Sequence, residues 1–157
     1  MSEVVPHERI EKRIYEMRGK KVMLDADLAE LYAVETRALN QAVTRNIERF
    51  PDDFMFQLTE VEAKDLRSQS VTSNWGGRRY IPYAFTEHGI LMLSNVLKSE
   101  RAVRVSVQII RVFVRLRELA QGYHELITRI EKIEKRQDVE SREVWKAVRL
   151  LQGTVMK

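Results

Sequence analysis

The stretch VMLDADLAELYAVETRALNQAVTRNIERFP, residues 22–51, reads as two short helices joined by a tight turn. In the first helix Leu28, Leu31 and Tyr32 recur at helical intervals, so they form one apolar face. Asp25 is the side chain expected to cap its start, because a carboxylate there accepts a hydrogen bond from a free backbone N–H. The stretch therefore predicts a helical pair.

The spacing of small and apolar residues favours a helix-turn-helix crossing. Two helices that cross steeply need a small residue in the first, a permissive residue in the turn and an apolar residue in the second. Ala29, Ala33 and Leu39 stand at these positions. Glycine is the usual turn residue, and alanine is strained there if the turn requires a positive φ.

The second helix is predicted to begin at Thr36, whose hydroxyl is expected to cap it, and to end before Pro51. Leu39, Val43 and Ile47 follow one another at intervals of one turn and are expected to face inward.

The polar residues of this helix are of the types that contact DNA. Amide and guanidinium groups bind base edges, and hydroxyl and guanidinium groups bind phosphates. No acidic residue occurs from Thr36 to Ile47. The predicted DNA-binding residues of the helix are Thr36, Arg37, Asn40, Gln41, Thr44 and Arg45, of which Arg37, Asn40 and Gln41 would read bases and Thr44 and Arg45 would anchor phosphates. An ordinary structural helix pair is the alternative.

The remainder of the first two thirds alternates short strands and helices. Residues 1–9 are expected to form a poorly ordered lead-in, and residues 13–24 a hairpin around Gly19. Residues 53–58 alternate like a strand. Thr59 and Glu62 have the spacing of a capping box for a helix of about ten residues.

A basic turn follows this helix. Arg78 and Arg79 come after a Gly-Gly pair, and they either anchor phosphates from a wing-like loop or form a solvated hairpin tip. Residues 78–85 could return as a strand, with Pro82 favouring a position at the sheet edge. Thr86 is expected to cap the apolar helix EHGILMLSNVL.

From about Ser99 the chain has the pattern of a coiled coil. Apolar positions alternate in steps of four and three, with Gln137 and Glu140 as a polar gap and with Gly122 expected to break or kink the helix near residue 120. The seam consists of Val105, Ile109, Val112, Leu116, Leu119, Tyr123, Leu126, Ile130, Ile133, Gln137, Glu140, Val144, Ala147 and Leu151. We expect a separate or kinked arm that forms a homodimer.

Charge and composition narrow the possible functions. The net charge is +4, yet residues 98–117 alone carry six basic groups and one acidic group. Such a segment can bind a polyanion, although it is equally consistent with the solvent-exposed side of a helix whose other side is buried. The basic residues that share one side of this helix are Arg101, Arg104, Arg111 and Arg115.

The chain has no cysteine, which excludes disulfides, cysteine zinc sites and thiol nucleophiles. Its histidines form no metal-binding pattern, and no phosphate-cradling glycine loop or GxSxG sequence occurs. We therefore expect no enzyme activity, no catalytic or metal-binding residue and no cofactor. The start of the chain has no apolar signal core, and no apolar run is long enough for a membrane span, so a cytoplasmic protein without membrane contact is expected.

Several long segments resemble a known family. RFPDDFMFQLT, RRYIPYAFTEHG and the run around LYAVETRALNQAVTRNIERF are similar to the phage-associated KilA-N superfamily, specifically its ORF-six N-terminal-domain branch. The resemblance covers about Ile14 to Leu116 and implies a small α+β DNA-binding domain without catalytic activity, often joined to antirepressor-type regions. Ala33 departs from the glycine expected after the tyrosine. The positions that match the family pattern are Asp25, Leu28, Tyr32, Thr36, Leu39, Asn40, Gln41, Arg45, Asn46, Arg49, Phe50, Pro51, Phe54, Gly77, Arg78 and Tyr80.

These observations predict an α+β fold with a helix-turn-helix core and small β-hairpins, then a long helix and a C-terminal coiled-coil arm. The expected domains are a KilA-N-like DNA-binding domain at 10–118 and a helical arm at 119–157. The predicted function is sequence-specific binding of double-stranded DNA by a prophage-type or bacterial transcription regulator. The alternative is an antirepressor-type module that binds a protein partner through the arm.

Overall fold

The computed structural model describes residues 5–69 and 80–155. Its architecture is α+β, as predicted: a small antiparallel sheet, five shorter helices and a long C-terminal helix. The helices are α1 (His7–Glu11), α2 (Asp25–Tyr32), α3 (Thr36–Arg45), α4 (Glu60–Gln69), α5 (Glu87–Leu97) and α6 (Glu100–Val155). The strands are β1 (Ile14–Met17), β2 (Lys20–Leu24), β3 (Met55–Gln57) and β4 (Tyr83–Thr86).

The four strands lie in the order β1-β2-β4-β3, and every neighbouring pair is antiparallel. The predicted hairpin at residues 13–24 is confirmed. Its two turn residues, Arg18 and Gly19, both have positive φ. Two-residue hairpins favour such a turn, because its twist matches the twist of the flanking strands. The predicted strand at 53–58 is also confirmed, in the shorter form of β3.

The predicted edge position of Pro82 is wrong, because β4 lies between β2 and β3. Pro82 precedes the first residue of β4, so its missing N–H removes no bond from the ladder. Its carbonyl accepts a hydrogen bond from the backbone N–H of Leu58 at 3.0 Å.

Two predicted helix caps are confirmed. Thr59 and Glu62 form the reciprocal capping box, with the Glu62 N–H donating to Thr59 Oγ1 at 3.1 Å and the Thr59 N–H donating to Glu62 Oε1 at 2.9 Å. At the start of α5 the Thr86 hydroxyl accepts from the N–H of Gly89 at 3.4 Å.

Two other caps are wrong. The residue before α2 is Leu24, and Asp25 is the first helical residue, with its side chain turned into the protein. The residue before α3 is Glu35, and Thr36 makes no capping bond because it already lies within the helix. Both predictions placed the helix start one residue too late.

The ends of the helical pair also differ from the prediction. Helix α3 ends at Arg45, and a single 3₁₀ turn, Ile47–Arg49, follows it. That change in backbone turns Ile47 away from the core, so its side chain is 54% exposed and not inward-facing. Leu39 and Val43 are buried as expected.

The start of the chain is more ordered than predicted. Helix α1 occupies residues 7–11, and Val5 is buried. Gln108 holds Val5 by both backbone groups, accepting from its N–H at 3.2 Å and donating to its carbonyl at 3.0 Å. Local sequence patterns do not reveal this pairing, because the two residues are far apart along the chain.

The long helix does not end near residue 120, and the prediction of a separate helix is wrong. Helix α6 runs from Glu100 through Gly122 to Val155. A Cβ at Gly122 would meet no atom within 4 Å, so the glycine weakens the helix locally without any packing role. The chain divides into a compact unit, residues 1–114, and a helical unit, residues 115–157.

The core of the first unit joins the sheet to α4 on one side and to the helices on the other. The buried cluster between the sheet and α4 consists of Met17, Val22, Leu24, Phe56, Leu58, Ala63, Leu66 and Ala84. Among the helices, α2 is tied to α6 by a hydrogen bond of 2.7 Å between Tyr32 Oη and Ser106 Oγ. Burial of that phenol raises its pKa.

Candidate nucleic-acid interface

Helix α3 is held by one apolar stripe and presents a basic, polar surface. Leu39 is fully buried and Val43 nearly so, against α2 and α5. Because successive residues are about 100° apart around a helix, the side opposite these two residues faces solvent. We call that side the α3 face; its exposed residues are Arg37, Ala38, Gln41, Thr44 and Arg45.

The turn before α3 sets the angle at which the two helices cross. Ala33 adopts the left-handed conformation, with φ 60° and ψ 42°. Its N–H bonds to the Glu30 carbonyl at 3.1 Å, and the N–H of Val34 bonds to the Ala29 carbonyl at 2.9 Å. These two bonds form the helix-ending arrangement that normally contains glycine. Arg101 binds the same helix end, donating from Nε to the Leu31 carbonyl at 3.2 Å.

Asn40 lies at the border of the α3 face and is occupied within the fold. Its amide nitrogen donates to Asp25 Oδ2 at 3.0 Å and lies 3.3 Å from Tyr80 Oη. The Tyr80 hydroxyl donates to the same carboxylate oxygen. Desolvation, and then Asp25, raise the pKa of Tyr80, so the phenol stays protonated and remains a donor.

This cluster places Asn40 differently from the other predicted base-reading residues. Asp25 is fully buried, and its other oxygen accepts from the backbone N–H of Ala26 at 2.8 Å. Asn40 thus joins the first residue of α2 to α3 and to Tyr80. The sequence alone does not show that these three side chains are in contact, since 55 positions separate Tyr80 from Asp25.

The arginines of the α3 face differ from three others in the first unit, which form ion pairs. Arg9 and Arg13 each bind Glu30 at 2.6 Å, and Arg18 binds Glu62 at 2.8 Å and lies over the Phe56 ring. Within residues 5–69 and 80–155, Arg37 and Arg45 have no such ion pair. Two acidic residues, Glu35 and Glu48, stand just beyond the ends of α3.

Thr36 and Thr44 are less available for hydrogen bonds to DNA than the prediction assumed. Thr36 is half-buried in the first turn of α3. The exposed Thr44 donates its hydroxyl to the Asn40 carbonyl at 2.9 Å, so its oxygen remains free only as an acceptor. Arg78 and Arg79 lie outside the described residues.

Two neighbours of the predicted residues were not among the predicted DNA contacts. Ala38 lies on the α3 face, and the helical repeat of Leu39 and Val43 would have placed it there. Arg49, exposed in the 3₁₀ turn, adds a further cation close along the chain. In contrast, Arg101 of the basic stripe is committed to the end of α2, whereas Arg104 and Arg111 are exposed.

In the described parts of the chain, no group of three or more His, Cys, Asp or Glu side chains is arranged to hold a metal ion. None of the helices there combines the length and apolar character that crossing a membrane requires.

Comparison with known proteins gives one family. The ORF6N domain matches residues 12–96, a span that includes β1 to β4, α2 to α4 and nearly all of α5. No curated protein and no solved structure matches the chain.

Proposed function

Because this chain belongs to the phage-associated ORF6N domain family, we propose that it is a regulatory protein of phage or prophage type that binds double-stranded DNA through α3. Placement within the wider KilA-N superfamily belongs to the same proposal. A role in transcription regulation through sequence-specific binding is part of the same proposal.

The observation that carries the proposal is the contrast among arginines. Arg9 and Arg13 are neutralised by carboxylates, whereas Arg37 and Arg45 face solvent on a helix that has no acid of its own. A cation without a carboxylate partner can neutralise a phosphate and release counterions from DNA. The width of an α-helix also fits the major groove.

The exposed positions suit different tasks. Arg37 and Gln41, near the start and middle of α3, have side chains that can bind two acceptor or donor groups of one base. Thr44 and Arg45, in its last turn, suit phosphates, as do Arg78 and Arg79 by their sequence. Asn40 supports this surface from its border, because Asp25 already binds its amide nitrogen.

The first experiment is fluorescence anisotropy of the full chain with a pool of random-sequence duplexes at low and moderate salt. Binding should weaken as salt rises. Arg37→Ala should reduce affinity and lower the salt slope by about one ion. The matched control is Arg9→Ala, which removes the same charge from a paired position and should leave the slope unchanged. Equal effects of both substitutions would show that α3 is not the interface.

Base reading is tested after a preferred site has been selected from the pool. Gln41→Ala should weaken the selected site by about 1–3 kcal/mol and random duplexes much less. Asn40→Ala should instead lower the free energy of unfolding by about 1–3 kcal/mol, because it removes one of the hydrogen-bond donors to the buried Asp25 carboxylate. A loss of specificity by Asn40→Ala without loss of stability would restore Asn40 as a base-reading residue.

The α6 residues beyond 115 favour self-association as part of this function. Exposed apolar side chains recur there at coiled-coil spacing. A homodimer through the arm would bind a DNA site with two half-sites. Deleting residues 123–157 should convert the dimer to a monomer in sedimentation; a monomeric full chain would refute the dimer.

The exposed apolar side chains of α6 beyond residue 115 also support a second candidate, an antirepressor-type module that binds a protein partner. Salt separates the two. DNA binding falls steeply with ionic strength, and a largely apolar helix pairing does not. A full chain that binds no duplex even at low salt would favour the protein partner.

A further inference from the structure

The helical unit carries an apolar stripe at coiled-coil spacing. Its side chains are 42–67% exposed although they are large and apolar. The stripe follows the two inward positions of the heptad, a and d, and is interrupted only by Gln137 and Glu140. Its exposed large members are Leu119, Tyr123, Leu126, Ile130, Ile133, Val144 and Leu151.

We propose that a second copy of this chain covers the stripe in antiparallel orientation, with Gln137 of each copy opposite Glu140 of the other. This inference rests on the proposed homodimer and adds its direction and register. Three features of the sequence along α6 are consistent with this arrangement. They are the polar residues within the stripe, the charged residues along one side of it and the apolar residues along its other side.

The polar layers separate the two orientations. In a parallel pair each residue of the stripe faces its own counterpart, so the two Glu140 carboxylates would meet within the interface and repel. In an antiparallel pair an a position faces a d position. Glu140 can then accept a hydrogen bond from the Gln137 amide, and both polar residues are satisfied together. A shift by one heptad would leave each of them opposite an apolar side chain.

The same register fills the other layers with apolar pairs. It places Val144 opposite Ile133, Ala147 opposite Ile130, and Leu151 opposite Leu126. Each pair occurs twice, because the two copies are related by a twofold axis.

The edges of the stripe carry the second and third features. In antiparallel pairing like edges face each other, so Arg136 lies near Glu143 of the second copy, an attraction made twice. On the other edge Ile127 lies near Val148, and these two are half-buried on the single helix. These two contacts extend the interface, whereas the same register sets Arg129 beside Leu150 and Glu134 beside Ser141.

Parallel pairing uses different edge contacts. It would match Arg129 with Glu134, but it would set Glu143 opposite the apolar Val148 and Ile127 opposite Gly122. Charge on one edge alone therefore does not select the direction. The polar layers and the apolar edge both favour the antiparallel form.

Disulfide trapping of the full chain tests the direction, and the absence of native cysteine makes each introduced thiol unique. Ile130→Cys and Ala147→Cys are prepared separately, mixed and oxidised, and the linked peptides are identified by mass spectrometry. Both positions are exposed in the single chain, so neither substitution threatens the fold. Gln121→Cys, on the outer side of the heptad, is the matched control for random collision.

The antiparallel register predicts disulfides between residues 130 and 147 and few between two copies of residue 130. Those two copies would be about 25 Å apart along the helix axis, too far for a disulfide. Efficient linkage of residue 130 to itself would overturn the proposal in favour of parallel pairing. A monomer by sedimentation would overturn it together with the homodimer, and the DNA-binding proposal would still be judged by the salt-dependent anisotropy.

Charge reversal tests the register independently. Arg136→Glu and Glu143→Arg should each weaken dimerisation, on the order of tenfold, because each creates two like-charged contacts. The double variant Arg136→Glu/Glu143→Arg should recover most of the affinity, since the pairs are restored with reversed sign. Additive losses in the double variant would overturn the register.

Discussion

Replacing Ala33 by glycine should stabilise the protein, although the reverse change is the usual stabilising one. Ala33 follows α2 with a left-handed backbone, φ 60° and ψ 42°. Its side chain is exposed, so the methyl group contributes little packing. In this conformation the Cβ of an L-residue lies too close to the following carbonyl oxygen.

The magnitude follows from two opposing terms. The left-handed conformation costs alanine roughly 1–2 kcal/mol relative to glycine. Glycine loses about 0.4–1 kcal/mol more chain entropy when the protein folds. The difference gives a net stabilisation of about 0.5–1 kcal/mol for Ala33→Gly, with the two helix-ending hydrogen bonds of Ala33 and Val34 unchanged.

The assay is urea unfolding followed by circular dichroism, with the midpoint compared at an unchanged m value. Ala42→Gly is the matched control, because it makes the same chemical change within the right-handed α3 helix and should destabilise by about 1 kcal/mol. Opposite signs for the two variants are expected. If Ala33→Gly destabilised the protein as much as Ala42→Gly, the strain assigned to residue 33 would be refuted.

Two further predictions concern a close contact and a buried carboxylate. Gly89→Ala should destabilise the protein by about 1–3 kcal/mol or more, since a Cβ there would clash with the Phe54 backbone oxygen. Gly122→Ala should instead stabilise α6 by up to about 1 kcal/mol, because a Cβ there meets no other atom. Urea unfolding measures both variants, and equal small effects would contradict the close contact at Gly89. Burial raises the pKa of Asp27 to about 6 from 3.8, so the folded form binds its proton more tightly and this contribution to stability should fall as pH rises from about 4 to about 6. The full change is on the order of 3 kcal/mol. The stability of Asp27→Asn should lack that component, and parallel pH profiles for the two proteins would contradict the assignment.

Local sequence patterns predicted the elements whose cause is local. The capping box at Thr59, the cap at Thr86 and the hairpin around Gly19 need only residues a few positions apart, and all three are present. The family resemblance also agreed with the ORF6N domain match at residues 12–96. The exposed side of α3 followed from its helical repeat, except that the repeat could not foresee the change of backbone that exposes Ile47.

At Asp25 and at the start of the chain, the predictions failed because contacts between distant residues outweigh local preference. Asp25 is a good cap by its type, yet Asn40 and Tyr80 engage its side chain within the protein. The start of the chain is polar by composition, yet Gln108 fixes Val5 across a separation of 103 residues. Pro82 marks an edge strand by its own chemistry, yet it escapes that constraint by preceding β4.

The sequence by itself determined the α+β class, most element positions, the coiled-coil spacing of the C-terminal stripe and the residue types of α3, because each depends on periodicity or on near neighbours. Only the tertiary structure decided which arginines are neutralised, that Ala33 is strained and that Asn40 is bound to Asp25. Those outcomes depend on which distant side chains meet, and burial strengthens a hydrogen bond or an ion pair only after they have met.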